Sequence, residues 1–333
     1  MFLVVAMVIL GGLTRLTGSG LSIVEWNLFK GIFPPLNEID WTSLFDAYKN
    51  SPEFRQVNFD FTLVDFKRIF WLEYIHRLLG RVIGIAYMTP ILLCFVIKDK
   101  KSVPILALSS LFLLVSFQGL MGWLMVKSGL VYNPHVSHYR LAIHLLLAFL
   151  LYGATLLVYA SLFFRKNDVE NTTAILRRSM VILIGLTTLT ITYGAFVAGL
   201  KAGLIYNTFP LMNGSFLPDN FFHLTPWWLN FFDNHGVVQF IHRILALSTF
   251  TGILITAYRA KKKLDKNSST LKSFHHLVAI GLIQVILGIS TLLFSVPLWL
   301  GVLHQLMALG VLTSLLVLWI QINPPKNNVQ MAA

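Results

Sequence analysis

The residues with the greatest potential for chemistry lie in one apolar segment, 69–97, which is long enough to cross a bilayer. Four ionisable residues lie within it: Glu73, His76, Arg77 and Arg81. Helical spacing places all four on one face. Ionisable groups at membrane depth are costly and normally face a protein interior, a cavity or a cofactor. We interpret Glu73 as the only carboxylate within a membrane span, and therefore as the candidate catalytic acid or base.

Four histidines form a second set: His76, His144, His242 and His304. Each lies in about the first two turns of an apolar segment that runs from the outer to the inner side, so all four are expected about 10 Å into the membrane. Neutral imidazoles that face each other across a helix bundle suit a haem iron, and four of them predict two haems. Structural, hydrogen-bonded histidines are the alternative, but they do not explain four equivalent positions. Zinc is a third interpretation, and it lacks matching Asp, Glu or Cys ligands in the second half.

Four arginines lie near these histidines: Arg77, Arg81, Arg140 and Arg243. Haem propionates are anionic and guanidinium groups bind carboxylates well, so we interpret these arginines as propionate ligands. Snorkelling to the membrane surface is the alternative, and it fits Arg140 better than Arg81, which lies one turn deeper. A salt bridge from Glu73 to Arg77 or Arg81 is compatible with a catalytic role.

The two halves of the sequence are related by a repeat. The matching segments are EYIHR (73–77) with QFIHR (239–243), QGLMG (118–122) with QVILG (284–288), LAIHLLLA (141–148) with GVLHQLMA (301–308), and GGLTRLTGSGL (11–21) with GAFVAGLKAGL (194–204). The halves differ where Gln239 replaces Glu73 and Leu247 replaces Arg81. This asymmetry indicates that the first half carries the reactive site and the second half a tuned or structural one.

Membrane-spanning helices must position these residues. The chain is 56% hydrophobic and 12% charged, with a mean hydropathy of +0.71, which is typical of polytopic membrane proteins. Eight apolar segments predict eight spans: 1–16, 69–97, 103–126, 138–164, 176–200, 237–258, 274–296 and 298–322. We predict an all-α integral membrane protein whose eight transmembrane helices form two four-helix bundles related by a pseudo-two-fold axis, with domains 1–164 and 165–333. The repeat aligns residue 1 with the interior of the fifth helix and so predicts a first span shortened at its N-terminus.

The basic charge of the chain indicates its orientation. The formal net charge is +12, and Lys and Arg are concentrated in alternate connections. This pattern predicts that both termini are cytoplasmic and that the histidines lie toward the outer face. No basic groove or binding motif accompanies the charge, so nucleic-acid binding is not expected. Cys94 is the only cysteine, which excludes an intramolecular disulfide and a multi-cysteine metal site. The absence of an Arg/Ser-rich presequence favours a bacterial cytoplasmic membrane over a mitochondrial one.

The motifs GGLTRLTGSGLS, EYIHRLLGR, HLLLA, QFIHR and HQLMA together resemble the haem A synthase family, and the similarity covers nearly the whole chain. The resemblance implies an eight-helix membrane enzyme that oxidises the C8 methyl group of haem O to a formyl group, which gives haem A for cytochrome oxidase. It implies a haem O substrate site in the N-terminal half and a haem b cofactor in the C-terminal half. Some members carry a cysteine pair in an outer loop, and this chain resembles the subgroup without it.

Carried over motif by motif, the resemblance implies that His76 and His144 bind the iron of haem O, with Glu73 as the critical acid. It implies that His242 and His304 bind the iron of haem b. Implied partners are haem O synthase, cytochrome oxidase assembly factors and an unidentified electron acceptor, in addition to the lipid bilayer, and a homo-oligomer remains open. If both histidines of the first pair bind iron, no axial site is left for oxygen. We therefore expect electron withdrawal from the porphyrin, proton loss from the methyl group and addition of water, performed twice through a hydroxymethyl intermediate and followed by dehydration.

Two other functions fit parts of the pattern. A di-haem b-type electron-transfer protein that oxidises quinol would share the four histidines, but it needs no carboxylate beside only one haem. A transporter built from parallel repeats predicts broken helices and charges at the bilayer midplane. Bound haem would exclude the transporter, and formation of haem A from haem O would separate the enzyme from the electron carrier.

Overall fold

The computed structural model describes residues 1–26, 30–96, 104–131, 134–163 and 173–323. The regular secondary structure of these ranges is helical, and the extended backbone in them pairs only as an isolated bridge between Met212 and Ser215. The α-helices of the described ranges are α1 (Phe2–Leu16), α2 (Glu38–Lys49), α3 (Pro52–Gln56), α4 (Leu63–Leu93), α5 (Ile105–Gly129), α6 (His138–Phe163), α7 (Ala174–Gly199), α8 (Asn230–Asp233), α9 (His235–Lys263), α10 (Ser269–Leu293) and α11 (Leu298–Ile322).

Six helices in the described part of the chain are long and apolar enough to cross a membrane, namely α5, α6, α7, α9, α10 and α11. Helix α1 is apolar but has 15 residues, and α4 has 31 residues but carries ionisable side chains that reduce its hydropathy. The chain is therefore an all-α, multi-pass membrane protein, as its composition predicts. The count of eight spans and the shortened first span stay predictions, and the predicted segment ends at 97, 103 and 164 lie outside the described residues.

The chain divides into two compact units, Met1–Ala148 and Phe149–Ala333. This division falls within α6, whereas the sequence places a domain boundary at residue 164, in the connection that follows this helix. Residue 164 lies outside the described residues, and that boundary stays a prediction.

In the first unit, α4 packs against both α1 and α5. Helix α4 begins with a capping box in which Thr62 and Asp65 bond to each other's backbone N–H groups. Helices α2 and α3 pack an aromatic cluster onto the first turns of α4, where Tyr48 and Phe66 are fully buried. Tyr48 donates a hydrogen bond to Glu53 at 3.0 Å, and burial raises the pKa of the Tyr48 hydroxyl. The connection between α1 and α4 is thus a folded cap.

In the second unit, four long helices form a closed ring. Helix α7 packs against α9 and α11, and α10 packs against the same two helices. The hydrophobic core of this ring includes Leu183 of α7, Ile253 of α9, Phe274 of α10 and Leu315 of α11. On α9 and α11 these core residues lie several turns beyond the histidines of the predicted site. The core therefore fills one end of the ring, and the histidines lie toward the other end.

Candidate functional site

A buried carboxylate on α4 organises the loop that follows α1. Glu73 and Ser22 are 3% and 1% exposed. Oε2 of Glu73 accepts hydrogen bonds from Ser22 Oγ at 2.7 Å and from the backbone N–H of Ile23 at 2.9 Å. Oε1 of Glu73 accepts from Nε and Nη2 of Arg77, one turn along the helix, at 3.0 and 2.6 Å. An ionised carboxylate has about four acceptor positions, so those of Glu73 are all used. We call Glu73, Arg77, Ser22 and Ile23 the first clamp.

Arg77 extends the first clamp to the loop backbone. Its Nη2 donates to the carbonyl oxygen of Ile23 at 2.8 Å, and its Nη1 donates to that of Glu25 at 3.3 Å. Its guanidinium carbon lies 5.0 Å from the centroid of the Trp26 ring, which is cation–π geometry. Of the two arginines expected to pair with Glu73, Arg77 therefore makes the buried ion pair.

The second unit contains an equivalent arrangement without the carboxylate. Arg243 of α9 donates to the carbonyl oxygens of Tyr206 and Thr208 at 2.8 and 2.9 Å. It also donates to Oε1 of Gln239 at 3.2 Å. Nε2 of Gln239 donates to the Tyr206 carbonyl oxygen at 3.2 Å. We call Gln239, Arg243, Tyr206 and Thr208 the second clamp.

The two clamps follow the sequence repeat. Tyr206 lies 183 residues after Ile23, which is the offset that relates GGLTRLTGSGL to GAFVAGLKAGL. By the same offset Ile205, which is 43% exposed, replaces Ser22. The buried hydroxyl and the buried carboxylate are therefore both specific to the first unit. Ser22 is not among the residues predicted for the site; its replacement in the repeat is the sequence signal that could have identified it.

The two rings of the second pair of histidines lie close together within the second unit, with their planes nearly perpendicular. The ring centroids of His242 and His304 are 6.5 Å apart, with an interplanar angle of 87°. Nδ1 of His242 lies 3.1 Å from the carbonyl oxygen of Thr190 on α7. A proton on that Nδ1 satisfies the carbonyl and leaves Nε2 with a free lone pair, as ligand histidines require. Nδ1 of His304 is buried, and the ring lies near a backbone group of Gln284 on α10.

The first pair lies within the first unit, with His76 on α4 and His144 on α6. Nδ1 of each ring is buried, and each ring lies near a backbone group of a neighbouring helix, Leu10 for His76 and Gln118 for His144. Nε2 of His144 lies 3.4 Å from Nε2 of Gln118 on α5. Iron binding by this pair stays a prediction.

Two glutamines join the candidate sites, although neither is predicted from the sequence. Gln118 and Gln284 occupy the same position in the repeat QGLMG and QVILG. Oε1 of each is buried with no hydrogen-bond partner among the described residues. Their recurrence in the repeat is a signal that the hydropathy pattern alone does not carry.

The second pair fits a haem iron. Two metal–nitrogen bonds of about 2 Å, with each nitrogen roughly 1 Å from its ring centroid, separate two axial imidazole centroids by about 6 Å. The observed separation of 6.5 Å is close to this value. Within the described ranges, no three His, Cys, Asp or Glu side chains come together as a metal site, so a tetrahedral zinc site finds no ligand set there.

The four arginines differ in their contacts. Arg77 and Arg243 belong to the clamps, and Arg140 donates to the carbonyl oxygen of Leu124 on α5 at 2.6 Å. Arg81 is partly buried on α4, one turn beyond Arg77. Propionate binding by these four residues stays a prediction.

These features define an all-α, multi-pass membrane protein with a close pair of histidines in the second unit, a second pair at the equivalent repeat positions of the first unit, and a buried carboxylate one turn from His76. Residues 1–316 match the family model COX15-CtaA, described as Cytochrome oxidase assembly protein. The chain belongs to this family of cytochrome oxidase assembly proteins.

Several curated relatives carry the name Heme A synthase. The protein of Nitrosospira multiformis is 47% identical over 322 residues, which cover 96% of this chain and 89% of that protein. The protein of Paramagnetospirillum magneticum is 45% identical over the same length and the same shares. That of Flavobacterium psychrophilum is 42% identical over 318 residues, which cover 92% of this chain and 91% of the relative. The resemblance to the haem A synthase family is therefore confirmed.

Proposed function

We propose that this chain is a haem A synthase, which oxidises the C8 methyl group of haem O to a formyl group and so supplies haem A for cytochrome oxidase. The relatives named Heme A synthase support this activity. The observation that carries it is the asymmetry between the clamps: a buried carboxylate with its own hydroxyl donor lies one turn from His76, and an amide without such a donor lies one turn from His242.

In this proposal eight helices span the membrane, four in each repeat. His76 and His144 bind the iron of the substrate haem O, and His242 and His304 bind the iron of haem b. The centroid separation of the second pair supports its assignment, and the sequence repeat extends the assignment to the first pair. Arg81 and the remaining N–H groups of the other three arginines contact the propionates.

The protein resides in the bacterial cytoplasmic membrane, with both termini cytoplasmic and both haem sites toward the outer face. The distribution of Lys and Arg and the bacterial sources of the relatives support this placement. A haem O synthase supplies the substrate, assembly factors of cytochrome oxidase receive the product, and an external acceptor takes the electrons.

The reaction balances as two oxidations in which water supplies the oxygen and the external acceptor takes the electrons. Each step removes two electrons and one proton from the substrate carbon and adds the hydroxyl group of one water molecule, whose other proton is released. The first gives the hydroxymethyl group, and the second gives a geminal diol that loses water to become the formyl group. Haem b, held by His242 and His304, would supply a one-electron redox centre.

Glu73, one turn from His76, would provide negative charge at the haem O site. It accepts four hydrogen bonds, two of them in its ion pair with Arg77, and a carboxylate held in this way would stabilise positive charge that develops when the porphyrin loses electrons. A proton that reaches Glu73 must displace one of these donors. Ser22 is suited to pass it on, since a hydroxyl both donates and accepts.

Co-expression with a haem O synthase, in cells that lack haem A, tests the proposal. We expect the purified protein to contain haem and the extracted pigments to include haem A. In water labelled with ¹⁸O, the label should appear in the hydroxymethyl intermediate, which exchanges oxygen more slowly than the aldehyde. Haem without haem A would favour the di-haem electron-transfer protein, and a colourless protein would contradict both.

A further inference from the structure

All four histidine rings of the candidate sites lie against a glycine of a neighbouring helix. A Cβ atom added to each glycine would meet Cε1 of the ring first: Gly11 with His76 at 3.2 Å, Gly122 with His144 at 3.0 Å, Gly194 with His242 at 3.1 Å and Gly288 with His304 at 2.9 Å. Ordinary contacts of a real Cβ begin at about 3.4 Å. The nearest ring atom is the same in every case, so all four rings present the same edge to the neighbouring helix.

Three other glycines of the long helices do not share this contact. Gly119 of α5 and Gly185 of α7 have no atom within 4 Å of an added Cβ. Gly252 of α9 is as crowded as Gly288, but the atom that it would meet at 2.9 Å is Cδ2 of Leu183. A glycine against an imidazole edge therefore recurs at the equivalent place in each pair and is not a general property of these helices.

We propose that Gly11, Gly122, Gly194 and Gly288 are positioning residues that set the orientation of the four iron-binding rings. This inference rests on the haem ligation in the proposed function. Each glycine lets a ring settle against the neighbouring helix backbone with its Cε1 edge inward, which fixes the direction of Nε2. A methyl group at this place displaces the ring by a few tenths of an ångström, because the added Cβ is part of a rigid helix backbone and only the ring can yield. Small displacements of an axial ligand change the reduction potential and the spectrum of a haem.

The substitution G288A tests the inference on haem b, with two matched controls. G252A introduces an equal crowding of 2.9 Å against a leucine, and G185A introduces none. We expect G288A to change the ratio of reduced to oxidised haem b about tenfold at a fixed solution potential. For a one-electron couple this corresponds to a shift of about 59 mV in the reduction potential of the haem. The g-values of the ferric haem in electron paramagnetic resonance should shift as well. G252A should lower thermal stability but keep the wild-type potential and g-values, and G185A should change neither.

If G288A does not assemble, the milder variant G194A decides the outcome, because its added Cβ would lie 3.1 Å from Cε1 of His242. Loss of haem b from G288A with helix content equal to that of G252A would support the inference, because the ring would have been moved away from the iron. Wild-type potentials and g-values in both G288A and G194A would overturn it. A wild-type protein that holds haem b but forms no haem A would contradict the proposed function and leave this inference standing.

Discussion

In both units an arginine donates hydrogen bonds to two loop carbonyl groups and to a polar residue one turn earlier on its own helix. That polar residue is Glu73 in the first clamp and Gln239 in the second. The second clamp shows that an amide is sufficient to fix the loop after the first helix of a repeat. Fixing the loop therefore does not require the carboxylate of the first clamp. Since burial of a charge is costly, its retention together with Ser22 indicates a chemical role in the first unit.

The substitution Glu73→Gln converts the first clamp into the chemistry of the second and should have the largest effect. We expect haem A formation to fall by about 10²-fold or more, the contribution typical of a general acid or base. Haem content should not change, because the amide can still accept from Arg77. Extracted haem A per mole of protein is the measurement. Glu53→Gln, which alters a buried carboxyl group in the folded cap, is the control, and equal losses in both variants would remove Glu73 from the reaction.

Removing the arginine of each clamp should destabilise the protein to a different extent. Arg77→Ala leaves a buried carboxylate without its ion-pair partner, which should lower the free energy of unfolding by about 3–5 kcal/mol. Arg243→Ala leaves only neutral groups without a donor and should lower it by about 1–3 kcal/mol. Thermal unfolding in detergent measures both. The double variant Glu73→Gln/Arg77→Ala should recover much of the loss, and similar losses for the two single variants would show that the charge of Glu73 does not distinguish the clamps.

Ser22→Ala removes the hydroxyl that only the first clamp contains. We expect haem A formation to fall about tenfold, since a hydrogen bond to a charged group contributes about 1.5–3 kcal/mol. Ser22→Thr should retain most of the activity because it keeps the hydroxyl. Ile205→Ser, at the equivalent place in the second unit, is the control and should leave both haem content and activity unchanged. A fully active Ser22→Ala variant would contradict the proton-passing role.

Gln239→Glu introduces a carboxylate into the second clamp and should have the smallest effect. The new oxygen faces the Tyr206 carbonyl to which the amide donates, and the nearby guanidinium offsets part of this repulsion. We expect a stability loss of about 1 kcal/mol and normal haem A formation. Combined with Glu73→Gln it should not restore activity. Restoration would mean that the two units are interchangeable, in conflict with the asymmetry.

Hydropathy and the repeat anticipate most of the helical framework, because both depend on local sequence. The long apolar segments correspond to helices, and the four histidines occupy the equivalent helices that the repeat assigns. The charged face of α4 is also anticipated, since helical spacing alone brings Glu73 and Arg77 together. The folded cap of α2 and α3 is harder to predict from the sequence, because its aromatic cluster has no periodicity and forms only through contacts with α4.

The contacts that complete the sites depend on tertiary structure. Ser22 is 51 residues from Glu73, and no spacing rule connects a loop hydroxyl with a helix carboxylate at that distance. The glycines at the histidine rings belong to the repeated motifs, but their partners lie on other helices, so the sequence shows that they recur and not what they touch. The division of the chain within α6 likewise reflects packing density, which hydropathy does not report.

The core cluster that joins α7, α9, α10 and α11 lies several turns beyond the histidines, and this position has a consequence for biogenesis. Leucine, isoleucine and phenylalanine contacts hold that end together through side chains of the polypeptide alone. The nascent chain can therefore insert and assemble this half while the pigment is still absent. Haem then enters by a local separation of the helices at the histidine end, while the core cluster at the other end stays packed.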